Sequence, residues 1–308
     1  MKFFYTLCGF FIIFVFISLL SSNIRYTAEK MYFPKLVQLE PDILVTAPVL
    51  TGKENFPTIS AQSTLAIDLD SGVSLYEKEA DAKLLPASTT KIVTALVAMD
   101  YYPLDKVLTV GKIKIDGQKM HLAEGEEITI RDLLYGLLIN SANDAAEILA
   151  DNYKGGRASF IDEMNKKAKS LGLTNSIFTN PSGLDEEGLL TTARDLATIA
   201  TFAMRNPFFK EIVSTKEIVV TSIDGKGKHK LVNINKLLGE VDGVLGVKTG
   251  WTENASENLV TYIERDGKKI MIVTLGSQDR FGETKEIISW IFDNYTWQRV
   301  TKSSIGSY

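Results

Sequence analysis

Strand signals stand at both ends of this chain and helical periodicity fills its middle, and that order restricts the fold more than any other feature. Leu65-Ala-Ile-Asp-Leu-Asp70, the turn pair Ser71-Gly72 and Val73-Ser-Leu-Tyr76 read as a hairpin. Late in the chain, residues 217–223 and 228–233 flank Asp224-Gly225, and residues 258–264 and 269–275 flank Asp266-Gly267. An Asp-Gly pair between apolar runs is a strong hairpin signal, because both turn residues must take positive φ. Between these ends, residues 88–99, 130–150 and 192–204 carry apolar side chains at helical spacing, residues 165–171 end a helix at Gly172, and 281–295 close as an amphipathic helix. The expectation is an α+β fold. An antiparallel sheet is assembled from both ends of the chain and flanked by helices, with a helical cluster beside it and a cleft at their boundary.

The chain of 308 residues is long enough for one large domain or two modest ones. Residues 3–20 form an uncharged, mostly apolar run of 18, with Lys2 the only side-chain charge before it. That exceeds the usual apolar core of a secretory signal and just reaches the length that spans a bilayer. No clear small-x-small cleavage site follows, so residues 1–22 read as an uncleaved membrane anchor, with a cleaved signal as the alternative. Either reading places the remainder on the extracytoplasmic side of the membrane. Residues 23–56 contain Pro34, Pro41 and Pro48 without sustained periodicity and read as a spacer. The expected folded domain covers residues 57–296, with a tail at 297–308.

Several functions are disfavoured at this stage. The net charge of -4 has no basic run behind it, so no nucleic-acid partner is expected. The single cysteine, Cys8, allows no intrachain disulfide, and the two histidines, His121 and His229, are far apart, so neither a metal site nor a cofactor is expected.

Three short segments fit one chemistry. Ser88 and Lys91 lie at i and i+3 where a helix opens after Pro86, which puts both side chains on one face. A serine hydroxyl is a weak nucleophile until a base takes its proton, and a lysine is that base once burial or a neighbouring cation lowers its pKa. Ser141 and Asn143 follow the apolar run 133–139; a second hydroxyl can relay a proton to a leaving amine, and an amide can hold a substrate backbone group. Lys248, Thr249 and Gly250 end the run 241–247. They offer a cation and a hydroxyl to a substrate carboxylate, and a bare backbone along which an extended peptide can lie. Each segment alone has an ordinary reading: a helix N-cap, a cap with first-turn acids, a strand end. About one Ser-x-x-Lys is expected by chance in a chain of this size. Their conjunction, in this order, is what carries weight.

At these residues the sequence resembles the serine D-Ala-D-Ala carboxypeptidases, the low-molecular-mass penicillin-binding proteins, whose motifs are also close to those of class A β-lactamases. The likeness extends through Pro86-Ala-Ser-Thr-Thr-Lys-Ile-Val-Thr-Ala95, residues 133–146, Asn180-Pro-Ser-Gly-Leu184, Thr192-Ala-Arg-Asp-Leu-Ala197, Asn235-Lys-Leu-Leu238 and Gly243-Val-Leu-Gly-Val-Lys-Thr-Gly-Trp-Thr252, roughly residues 57–296 in all. The resemblance implies the penicillin-binding-protein and β-lactamase-like transpeptidase fold. It implies Ser88 as the acylated nucleophile, Lys91 as its base and Ser141 as proton relay. Asn143, Lys248, Thr249 and Gly250 would bind substrate, and the backbone N–H groups of Ser88 and Trp251 would form the oxyanion hole. The substrate implied is a peptidoglycan stem peptide, with β-lactams as inhibitors. Two departures stand out: Ser182 occupies a position where the family often has His, and Ala255-Ser-Glu-Asn-Leu259 replaces a usual Ala-Gly-x-Cys-Leu. The chain ends at Tyr308, without the C-terminal β-rich domain and anchor common in the group, so membrane attachment is expected through the N-terminal segment.

A class A β-lactamase would need a Glu-x-x-Leu-Asn segment between the second and third motifs, and none is found. A DD-endopeptidase acting on cross-links would use the same residues. A non-catalytic peptidoglycan-binding module, or a membrane scaffold, would be expected to have lost part of the nucleophile apparatus, which is complete here.

Overall fold

A computed structural model describes residues 45–52 and 55–300. The apolar run 3–20 and the expected spacer as far as residue 44 lie outside the described residues, as does 301–308. Among the described residues, no helix is long and apolar enough to cross a membrane.

The chain begins with β1 (Val45–Leu50), then β2 (Ser63–Asp68) and β3 (Ser74–Lys78). A 3₁₀ turn (Ala87–Thr90) leads directly into α1 (Lys91–Tyr101). Two short strands, β4 (Val107–Thr109) and β5 (Glu127–Thr129), bracket an irregular stretch. The helical cluster follows: α2 (Ile130–Ile139), α3 (Asn143–Asp151), α4 (Gly156–Ser170), α5 (Ala193–Ala203) and α6 (Pro207–Ser214). The hairpin β6 (Glu217–Thr221) and β7 (Lys228–Val232) precedes β8 (Val244–Thr252), β9 (Ser256–Arg265) and β10 (Lys268–Ser277), and α7 (Arg280–Asn294) runs into β11 (Tyr295–Val300).

The main sheet has the order β3-β2-β10-β9-β8, antiparallel throughout. Both chain ends therefore build it, as the sequence order predicts. The tight turn at Asp266-Gly267 pairs Arg265 with Lys268, with φ of 50° and 71° at the two turn residues. The central strand β10 reads as a near-continuous apolar run because both its faces are buried. Met271, Val273 and Leu275 face the helical cluster, while Ile270 and Ile272 face Ile287, Ile288 and Ile291 of α7. Period-2 alternation thus sends one strand into two cores, and the sheet becomes a rigid floor for the cleft at its β8 edge.

The expected domain limits need correction at both ends. Residues 45–50, read as spacer, pair with β11 from Leu50 opposite Tyr295 to Val45 opposite Val300. The ribbon is held by distant groups: Trp297 Nε1 donates to Asp68 Oδ2 at 2.8 Å, and Tyr295 Oη to the Leu75 carbonyl at 2.9 Å. Local periodicity carries no sign of such contacts, and Pro48 argues for a break although a short edge strand tolerates it. The helical reading of residues 130–150 is also corrected, since the helix stops at Ile139 and restarts at Asn143.

Candidate active site

The 3₁₀ turn Ala87–Thr90 gives Ser88 and Lys91 their shared face, one turn apart. Lys91 Nζ lies 2.9 Å from Ser88 Oγ and has no exposed surface. It also donates to Asn143 Oδ1 at 2.6 Å and to the Ser182 carbonyl at 2.5 Å. These acceptors leave an ammonium's three donors satisfied but supply no full counter-charge in contact. Burial therefore dominates and pulls the Lys91 amine down to about 7, against the opposing pull of the Glu147 and Asp144 carboxylates.

The break between α2 and α3 delivers the second motif. Ser141 sits at φ 58°, a left-handed conformation that costs a non-glycine residue on the order of 1–3 kcal/mol. That conformation turns Ser141 Oγ toward Lys248, whose Nζ donates to it at 2.9 Å. Asn143 opens α3, with Oδ1 on Lys91 and Nδ2 on the Asp116 carbonyl at 2.7 Å. One amide hydrogen remains for a substrate carbonyl. Asn143 is thus an organiser of the site before it is a substrate contact.

Lys248 and Thr249 come from β8, the edge strand, which among the described residues has no paired strand on its cleft side. Lys248 is buried and its amine is pulled well below the lysine range, by burial first and then by the nearby Lys91 and Arg280 cations. Two buried amines this near each other disfavour one another's charged form. Thr249 Oγ1 is buried without a partner among the described residues and lines the cleft, so it is ready for a ligand oxygen. The reason for Gly250 differs from the expectation. A Cβ there would meet the Pro86 carbonyl at 3.0 Å and Ser88 N at 3.2 Å, so the missing side chain admits the nucleophile turn against the strand.

The cleft encloses about 710 Å³ and is lined by Ser88, Ser141, Asn143, Thr249, Gly250 and Trp251, among others. Every sequence-predicted site residue is therefore at this cleft or, for buried Lys91 and Lys248, hydrogen-bonded to a group that lines it. Trp251 is 62% exposed at the rim.

Three contributors have no role assigned by the sequence reading. Arg280, at the start of α7, lines the cleft and donates from Nη1 to the Gly250 carbonyl at 2.7 Å. Glu257 anchors the same corner by accepting from Arg280 N at 2.9 Å. Asn258, one of the departures from the family pattern, is fully buried; its amide donates to the Leu85 carbonyl at 2.9 Å and accepts from Gly276 N at 2.8 Å. It ties β9 to the segment leading into Ser88. The Ser182 departure leaves the Lys91 contact intact, because that contact is to its backbone carbonyl. Of the three contributors, Glu257 and Asn258 lie in the Ala255-Ser-Glu-Asn-Leu259 departure already visible in the sequence, whereas no local signal marks Arg280.

No histidine lines this cleft, and the group beside the serine hydroxyl is a buried amine. Together with the antiparallel sheet and helical cluster, that arrangement defines a penicillin-binding-protein fold. Residues 51–279 match the profile of peptidase family S11, D-alanyl-D-alanine carboxypeptidase, and the chain belongs to that family. It is 34% identical over 245 residues to the D-alanyl-D-alanine carboxypeptidase DacF of Bacillus subtilis, covering 76% of this chain and 63% of that one. It is 36% identical over 239 residues to a D-alanyl-D-alanine carboxypeptidase of Streptomyces sp. strain K15, covering 72% of this chain and 82% of that one. The crystal structure of the Streptomyces K15 DD-transpeptidase superposes with a TM-score of 0.73 at 34% identity, covering 77% of this chain and 98% of that one.

Proposed function

We propose that this chain is a serine D-Ala-D-Ala carboxypeptidase acting on peptidoglycan stem peptides from the extracytoplasmic side of the membrane. The observation that carries the reading is Lys91 Nζ, buried and 2.9 Å from Ser88 Oγ with its amine pulled down to about 7. Near neutral pH about half of such an amine is free to accept a proton, whereas an ordinary lysine is almost wholly charged.

The peptide lies along β8 with its terminal carboxylate toward Lys248, Thr249 and Arg280. Lys91 takes the Ser88 proton as Oγ bonds to the penultimate carbonyl carbon. The resulting oxyanion is held by the backbone N–H groups of Ser88 and Trp251. The C–N bond breaks, Ser141 passes a proton to the departing D-Ala amine and regains one from the Lys91 ammonium, which is left neutral, and Ser88 remains acylated. Lys91 then takes a proton from water as it attacks the ester, and returns that proton to Ser88 Oγ as the shortened peptide leaves. β-Lactams acylate Ser88 by the same first step, with the ring amide as the bond that opens.

The same acyl-enzyme passed to an amine is a transpeptidation, the activity named for the Streptomyces K15 structure. The test is free D-Ala released from a D-Ala-D-Ala pentapeptide by the full chain beside Ser88→Ala. Release that vanishes in the variant supports the carboxypeptidase reading. Absence of both D-Ala and a penicillin adduct on Ser88 in a folded chain refutes it. An added glycine acceptor that diverts the product to a new peptide selects transpeptidation.

A further inference from the structure

We propose that His229, paired with Glu126, is a positioning residue that sets one wall of the cleft; the proposal rests on the acyl-enzyme reading above. The wall belongs to residues 110–126, a stretch without helix or strand. Asp116, Gly117 and Gln118 from this stretch line the cleft. An irregular segment keeps its place only where its backbone groups find partners. Here the partners come from two sides.

On the catalytic side the segment hangs on the start of α3. Asn143 N donates to the Gln118 carbonyl at 2.7 Å, Asn143 Nδ2 to the Asp116 carbonyl at 2.7 Å, and Met120 N to Asp144 Oδ1 at 3.0 Å. On the far side stands His229, brought in by β7 from outside the main sheet. Its Nδ1 lies 2.8 Å from the Met120 carbonyl and its Nε2 lies 2.6 Å from Glu126 Oε1. A carbonyl only accepts, so Nδ1 carries a proton. Glu126 uses its other oxygen to accept from Ala123 N at 3.0 Å, which closes the turn below the wall.

The imidazole thus grips one irregular segment at two points, residues 120 and 126. Both side chains are more than nine-tenths buried, with 8% and 6% exposure, so water does not replace either partner cheaply. The Met120 peptide joins the two sides, since its N–H is on Asp144 and its carbonyl is on His229. His229 touches neither Ser88 nor Lys91, and Asn143 keeps its own bond to Lys91. Loss of the clamp therefore loosens the surface that receives the peptide and leaves the proton-transfer pair in place. The consequence belongs in KM rather than kcat.

The test compares His229→Leu, Glu126→Leu and Glu126→Gln in the full chain. The readouts are kcat and KM for D-Ala release from a pentapeptide, acylation by a fluorescent penicillin, and trypsin cleavage after the exposed Lys112 and Lys114. Either leucine variant is expected to raise KM about tenfold, with kcat within about threefold, and to speed cleavage at the two lysines about tenfold. Glu126→Gln, which keeps a hydrogen bond to the imidazole, is expected to stay near wild type. Unchanged KM and cleavage in folded His229→Leu overturn the proposal, as does a loss confined to kcat. Should His229→Leu lose its fold, equal KM values for the two Glu126 variants overturn it instead. A wild-type chain that forms no penicillin adduct and releases no D-Ala refutes the acyl-enzyme reading, and the cleavage rates then still decide for or against the clamp.

Discussion

The pH dependence of Ser88 acylation is the sharpest consequence of the site's electrostatics. In the proposed mechanism Lys91 is the base, a role open only to its neutral form, which predominates above about pH 7. Below that point the rate of acylation by a fluorescent penicillin should fall about tenfold per pH unit, and above it the rate should level off. The groups that face the amine are Glu147 and Asp144 from α3 and Lys248 from β8. Glu147 stands one helical turn, about 6 Å, beyond Asn143, and Arg157 Nε holds its carboxylate at 2.7 Å. Its charge favours the protonated amine, so Glu147→Gln should move the acid limb to lower pH. At an effective dielectric near 20, a nearby unit charge of this kind is worth on the order of 2 kcal/mol. The Arg157 countercharge reduces that, which leaves a movement of about one pH unit. Stopped-flow acylation rates from pH 5 to 9 for both proteins measure it. A wild-type limb near pH 10, or a Glu147→Gln profile that superposes on wild type, refutes the reasoning.

Gly250→Ala forces a Cβ to within 3.0 Å of the Pro86 carbonyl, so either the edge strand or the nucleophile turn moves by a few tenths of an ångström. The expected cost is about 1–3 kcal/mol of stability and on the order of a hundredfold in acylation rate; a rate within threefold of wild type rejects the tight-packing reading. Asn258→Ala orphans the Leu85 carbonyl and Gly276 N–H, with an expected loss of about 2–4 kcal/mol in chemical denaturation, and a loss below half a kcal/mol contradicts it. Lys91→Met should inactivate and stabilise. A lysine amine lowered from 10.5 to about 7 opposes folding by roughly 5 kcal/mol at neutral pH. Orphaning its three acceptors returns about 3 kcal/mol, so a net gain of about 2 is expected. The sign follows from linkage: the unfolded chain binds the extra proton between about pH 7 and 10.5, so the wild type gains stability as pH rises through that window and the Met variant lacks the slope.

The parts of the fold legible in the sequence are those whose signal is local. The Asp266-Gly267 hairpin, the run of β10 and the Ser88–Lys91 pair follow from turn chemistry, burial on two faces and i,i+3 spacing. The break at residues 140–142 shows locally only as the cap with first-turn acids that follows the run 133–139, because apolar spacing continues through 130–150. It becomes stable only when Asn143 and Asp144 find the carbonyls and N–H groups of residues 116–122, which are remote in sequence. β1 and β11 stayed hidden because their partners are 245 residues apart, Leu50 opposite Tyr295. α6 carried a usable signal that went unread: Asn206 caps Phe208 N and Phe209 N, and Pro207 occupies the first helical position. Arg280 is an ordinary surface-type residue in sequence, and only the meeting of α7 with β8 and β9, where Glu257 holds its backbone N–H, gives it a place at the cleft.

These pieces join at Lys248. Burial and the nearby Lys91 and Arg280 cations disfavour its charged form. In the proposed mechanism an anionic peptide end beside Thr249 reverses that balance, since an opposite charge favours the ammonium form. Lys248 then donates where it was constrained, and its bond to Ser141 Oγ orients that hydroxyl for the leaving amine. Recognition of the terminal carboxylate and preparation of the proton relay are thereby one event. A peptide lacking that carboxylate leaves both undone even though Ser88 and Lys91 remain in place. The proposed specificity for the end of a chain thus rests on two buried amines, one nine-residue edge strand and one glycine that lets the Ser88 turn lie against it.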